Sequence, residues 1–172
     1  MTTDYGTVLT IAPTGSATDI ADTVTLDYEG RFLRRKRLTT DGGGTVLVNL
    51  AETTNLTEDT ALMLPDGRAI VVKPAAEPLL QVTGPDLVRL AWHIGNRHTP
   101  CQITSDALYI QRDHVLADML HGLGGMVADV TAPFTPEGGA YGHGRTMGHS
   151  HGPHDHDHSH DHHDHHHHHD HG

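Results

Sequence analysis

The chain has 172 residues, 35% of them hydrophobic and only 4% aromatic, which suits one compact domain or two small ones with aliphatic cores. Its formal charge of −11, with histidine neutral, argues against a general nucleic-acid binder. One cysteine, Cys101, excludes an intrachain disulfide framework and a Cys-rich zinc module.

The opening Met1-Thr2-Thr3-Asp4-Tyr5 has no basic segment followed by an apolar one, so no signal peptide is expected. No apolar run approaches the ~18 residues of a membrane helix. The expectation is a cytoplasmic protein with no membrane segment.

Residues 1–74 are rich in Thr, Val, Leu and Gly. Thr23–Tyr28, Arg35–Thr39, Thr45–Leu50 and Ala69–Lys73 are short and carry β-branched residues. Asp41-Gly42-Gly43-Gly44 and Asp66-Gly67 separate them, and Asp-Gly between apolar runs is a hairpin signal. A small antiparallel β domain is predicted. The basic run Arg31, Arg34, Arg35, Lys36, Arg37 is expected along one hairpin, either as a solvated strand or as a docking patch for an acidic partner.

Pro74-Ala75-Ala76-Glu77-Pro78 reads as a linker, with 75–78 between domains and Pro limiting regular structure. Leu79–Thr83 reads as a strand. Gly84-Pro85 opens a helix on which Leu87, Leu90, Ala91 and Ile94 recur at helical spacing. Gly95-Asn96 looks like its stop, leaving His98 on a loop. Cys101–Thr104 and Ala107–Ile110 read as short strands. Asp113 is placed to cap a second helix with Val115, Leu116, Met119, Leu120 and Leu123 as its apolar face, ended by Gly124-Gly125. A last strand is expected near Met126–Val130. Residues 79–142 thus read β-α-β-β-α-β, the ferredoxin-like order, and the fold class is α+β. That fold hosts many functions and cannot supply the activity.

Residues 143–172 carry most of the 19 His and little that is apolar. Such a segment is expected to be disordered without metal, because it buries too little to offset its ordering entropy. Its imidazoles are His143, His149, His151, His154, His156, His158, His160, His162, His163, His165, His166, His167, His168, His169 and His171. Neutral imidazole suits Ni, Zn, Cu and Fe. At roughly three to four ligands per ion, the tail has capacity for on the order of four or five ions. Each His must be deprotonated to bind, so affinity should fall below about pH 6. His165–His169 alone would resemble a purification tag, but Asp and Ser interrupt the longer tract. A chain of imidazoles does not choose its metal: affinity order favours copper, and zinc competes.

Within the predicted folded region, His98 and His114 are the candidate ligands, each weighed against an ordinary structural His. His93 and Cys101 read more readily as packing residues. One His per chain is a poor site, but a residue near a two-fold axis meets its own copy, and His98 is the residue to place there. No Gly-x-x-x-x-Gly-Lys-Ser/Thr, no His-Glu-x-x-His and no compact nucleophile or paired-carboxylate constellation is present, so an enzyme is not expected.

Several motifs together resemble one family. These are Arg31–Thr40 followed by Asp41-Gly42, Gly95-Asn96-Arg97-His98, Asp113-His114-Val115-Leu116 with Met119-Leu120, Pro133-Phe134-x-Pro136-Glu137 with Ala140-Tyr141, and the His-rich tail. In order and spacing they are similar to the urease accessory protein UreE family, from about residue 15 onward. The resemblance implies an N-terminal β domain that contacts partner proteins and a ferredoxin-like domain that dimerises. It implies a nickel metallochaperone for the urease active site, working with an accessory GTPase and the urease apoprotein–accessory complex. The family's interface ligand falls on His98, and a further metal-binding His of some members falls on His114. Where some members carry another His two residues earlier, this chain has Arg112. A second folded-domain site would there lose a ligand and gain a positive charge. The alternative reading is a nickel or zinc storage or buffering protein without a specific client.

Overall fold

Alternating apolar side chains organise the first half of the chain, and the computed structural model describes residues 1–138. Seven strands form there: β1 Asp4–Val8, β2 Thr10–Pro13, β3 Ile20–Leu26, β4 Phe32–Thr39, β5 Thr45–Asn55, β6 Thr60–Met63 and β7 Ala69–Pro74. They make two sheets, ordered β1-β5-β4 and β2-β6-β7-β3. On β5, Val46, Val48 and Leu50 are buried while the residues between them are not, the period of two that a half-buried strand requires. They pack with Val24, Leu62 and Ile70 in one core between the sheets.

Both glycine turns close hairpins, β4–β5 and β6–β7. Gly43 and Gly67 sit at φ 86° and 88°, a region open to glycine and strained for other residues. The pairing is otherwise mixed, which corrects the expectation of a purely antiparallel domain. β1 runs parallel to β5, and β3 runs parallel to β7. Turn chemistry specifies only strands adjacent in sequence. These parallel pairs join strands far apart in the chain, brought together by closure of the shared core.

The second half follows β-α-β-β-α-β: β8 Ala76–Thr83, α1 Leu87–Asn96, β9 Gln102–Ile103, β10 Leu108–Gln111, α2 His114–Gly122 and β11 Met126–Pro133. The sheet order is β11-β8-β10-β9 and every pairing is antiparallel, as in a ferredoxin-like fold. Asp113 caps α2, accepting a hydrogen bond from the Leu116 N–H at 2.9 Å. Gly124 and Gly125 end it, their N–H groups donating to His121 and Leu120 at 3.0 and 2.9 Å. The helices bury Leu90, Ile94, Leu116 and Leu120 against Leu80, Val82 and Ile110.

The irregular linker expected at 75–78 is replaced by strand from Ala76 onward. Pro78 is tolerated there for a geometric reason. Its carbonyl accepts from the Arg112 N–H at 3.4 Å, just past the end of β10. Its missing N–H lies on that same side, where the ladder has stopped.

The opposite face of β8 is buried at Leu79. Leu79 packs with Tyr28 and Phe134, and the Tyr28 ring meets Phe32 and Phe134 edge-on at 5.1 and 5.3 Å. Arg31 closes this junction. It is 3% exposed, so it does not belong to the solvated basic run in which the sequence places it. Its guanidinium donates to the Phe134 carbonyl and to the Leu26 carbonyl at 3.3 Å, beneath the Tyr28 ring at 5.9 Å. Arg31→Ala is expected to cost about 1–3 kcal/mol, because the buried Phe134 carbonyl loses a charged donor. Denaturant titration followed by circular dichroism checks this, and Arg34→Ala should be nearly neutral in the same assay.

Candidate metal centre

His98 lies just past the end of α1, as expected, but the helix stop is built differently. The helix continues through Gly95 and Asn96, and Arg97 is the cap. The His98 N–H then donates to the Gly95 carbonyl at 2.9 Å, and the Thr99 N–H to Ile94 at 3.4 Å. This is the pairing in which helices usually place glycine in the left-handed conformation. Here histidine takes that position, with φ 56°, and no other non-glycine residue among the described residues has positive φ. A β-carbon there costs roughly 1–2 kcal/mol relative to the right-handed region. A residue kept in spite of that cost points to a use for its side chain. The imidazole is exposed.

The helix leading to it is exposed on one flank. Val88 and Trp92 are four residues apart, 83% and 61% exposed, while Leu90 and Ile94 are buried on the core face. Gly95 continues that flank toward His98 with open space around it. The Trp92 indole meets His93 edge-on at 5.0 Å.

His114 is the first residue of α2 and is exposed. The positive end of the helix dipole opposes a cation there. Among the described residues no three His, Cys, Asp or Glu side chains gather as a metal site. Within one chain, His98 and His114 therefore have no common third ligand there. Arg112 occupies the position in question. Its guanidinium donates to the Val130 carbonyl at 3.0 Å and lies 3.7 Å from the Asp129 carboxylate. With a longer contact to the Leu79 carbonyl at 3.5 Å it spans β8 and β11, and it adds a fixed positive charge next to His114's cap.

Cys101 packs against the helix-covered core. Burial, reinforced by the Glu137 carboxylate, pushes its thiol up to about 11. It stays protonated at neutral pH, and a metal would have to displace that proton. His143 and the tail imidazoles from His149 to His171 lie outside the described residues.

The left-handed geometry of His98 was not legible in the sequence, since Gly95 is the residue that turn chemistry selects. The exposed flank had a signal: Val88 and Trp92 lie off the Leu87–Leu90–Ala91–Ile94 face at helical spacing.

Two family models match the chain. The N-terminal domain of the UreE urease accessory protein covers residues 6–75, and the C-terminal domain of the same protein covers residues 77–172. The chain is 60% identical over 141 residues to the urease accessory protein UreE of Ruegeria pomeroyi, covering 82% of this chain and 95% of that protein. It is 58% identical over 143 residues to the same accessory protein of Rhodobacter capsulatus, covering 83% and 91%. For Paracoccus denitrificans the identity is 59% over 123 residues, covering 72% and 79%.

Replacing His98 by Gly should raise thermal stability, by up to about 1 kcal/mol, since glycine relieves the left-handed strain. His98→Ala should give no such gain, and calorimetric unfolding compares the two. The Cys101 thiolate fraction at pH 8 should be roughly 100-fold below that of an ordinary thiol, so alkylation by iodoacetamide should be correspondingly slow. The same shift makes stability depend on pH. The neutral thiol's contribution is whole below the ordinary value of 9.0 and is lost as pH rises toward 11.

Proposed function

The chain belongs to the UreE family of urease accessory proteins, and on that premise we propose that it is a nickel metallochaperone that carries Ni²⁺ as cargo to the urease metallocentre. It is an accessory protein in urease maturation and not an enzyme. The observation that carries the nickel reading is His98, held in a costly backbone conformation at the exposed end of α1. A side chain so placed is pre-oriented and open to an ion.

The protein acts as a homodimer in which the Val88–Trp92 flanks of two α1 helices meet. That contact buries apolar surface now left to water and brings each His98 toward its copy. Two imidazoles hold one Ni²⁺ there, and tail imidazoles or water complete its coordination. The tail, His143 and His149 through His171, collects ions, with Zn²⁺ and Cu²⁺ as competitors. His114 adds at most an auxiliary ligand, since the helix end and Arg112 both oppose a cation. Nucleotide hydrolysis belongs to the accessory GTPase, and the urease apoprotein–accessory complex receives the ion. The setting is cytoplasmic; no helix among the described residues is long and apolar enough to cross a membrane.

Calorimetric titration of nickel into three forms tests the reading. The intact chain should bind on the order of four or five ions per chain in the tail, plus one per dimer at the paired His98. A chain ended after Tyr141 should keep only the shared ion. His98→Ala should lose that ion and keep the tail's capacity. If the shortened chain binds no nickel and His98→Ala changes nothing, the interface site is wrong, and storage by the tail is the better reading.

A further inference from the structure

β4 is an edge strand, and its middle is unusual. Arg34, Arg35, Lys36 and Arg37 are four consecutive exposed cations. Strand alternation would turn half of them inward. Lys36 does lie opposite the buried Val48, yet it is exposed, so here the edge overhangs the core. The pairing with β5 is also irregular between Leu33 and Arg35. Among the described residues, ion pairs form at Arg68–Asp66 and Arg112–Asp129, and none reaches these four side chains. The chain has only 11 Lys and Arg against 22 Asp and Glu, so this strand concentrates its scarce positive charge. A lone Lys or two would protect an edge against unwanted pairing. Four adjacent cations exceed that need.

The last described segment passes the residues that precede β4 and is then held at the second sheet, where the Glu137 N–H donates to the Cys101 carbonyl at 2.9 Å. Arg31 is hydrogen-bonded to Phe134, and Thr135 and Pro136 line a small cavity of 150 Å³ together with Arg31 and Tyr28. β4 begins at the next residue after Arg31. Beyond Gly138 the sequence carries Asp155, Asp157, Asp161, Asp164 and Asp170 against a single Arg145. At about 3.5 Å per residue, the intervening chain is long enough to bring every one of these carboxylates to β4. Being tethered gives the tail an effective concentration on the order of millimolar, enough for weak screened pairs to matter.

We propose that the metal-free tail docks its aspartates on the Arg34–Arg37 edge of β4, and that loading with divalent ions releases it. The release follows from charge. With its His neutral, the empty tail is negative. Roughly three bound M²⁺ ions reverse its sign, fewer than the four or five its imidazoles can take. A loaded, positive tail is repelled by the same strand that held it empty. Release rests on the metal-collecting reading above; docking of the empty tail does not. An acidic partner protein is the other occupant of matching chemistry. The tail is favoured by its length and its charge.

Amide chemical shifts of Arg34–Arg37 in the full chain test this, with Zn²⁺ as the diamagnetic probe. Metal-free wild type should differ there from a chain with all five tail aspartates changed to Asn, while β7 amides agree in both. Raising NaCl to about 1 M, where the screening length is about 3 Å, should move wild type onto the variant. Zinc should do the same, with ions counted calorimetrically on the same samples. Identical metal-free shifts in wild type and variant would overturn docking and leave the strand to a partner. Bound zinc without a change at β4 would overturn release while leaving metal collection intact. Absence of bound zinc would overturn release together with the collecting role.

Discussion

The buried guanidinium of Arg31 is the interaction on which the arrangement of the two halves depends. It spans the Leu26 carbonyl at the end of β3 and the Phe134 carbonyl just after β11, beneath the Tyr28 ring. A charge taken from water needs such acceptors, so the two segments are held at one distance. Around it, Glu77 accepts from the Tyr28 N–H at 2.8 Å and from the Gln111 amide at 3.1 Å, tying β8 and β10 to the same corner. With Tyr28, Leu79 and Phe134 covering one face of the second sheet, its other face is left to the two helices. The sheet is thus covered at Leu79 on one side and by the helices on the other, and α1 is set at a fixed place with His98 at its end.

That placement makes the strain at His98 meaningful. A left-handed histidine persists only where its surroundings determine it, and here the last turn of α1 and the Ile94 anchor do so. Loss of conformational freedom in the free protein is freedom that metal binding need not remove. Rigidity at His98 contrasts with the composition of the tail, whose many interchangeable imidazoles suit capture rather than discrimination. In the proposed function, collection and presentation fall to chemically different parts of one chain.

Much of the fold was legible in the sequence. Both glycine turns, both helices and the β-α-β-β-α-β order followed from periodicity and capping chemistry. The weakly patterned strands β1, β2 and β6 escaped, since β2 buries no residue and β6 has only four. The parallel pairs escaped because no local signal encodes them. Arg31 looked like its exposed neighbours: charge alone does not tell a buried junction arginine from a solvated one, and only the third dimension supplies its two carbonyls. Pro78 suggested a break, but an edge of the ladder needing no donor accommodates it. At the candidate site, His98 and the doubt cast by Arg112 were visible as residue types at given positions. The backbone conformation of His98 was not, because histidine is rarely found where glycine is the default.

The most direct test of the central claim is urease activation at limiting nickel, with apo-urease, its accessory proteins and either this chain or its His98→Gly form. The substitution suits the local backbone and leaves the tail whole, so folding and collecting capacity are kept. If His98 presents the cargo, activation should fall toward the level seen without this chain. Full activation by His98→Gly would contradict the account and assign delivery to the tail alone.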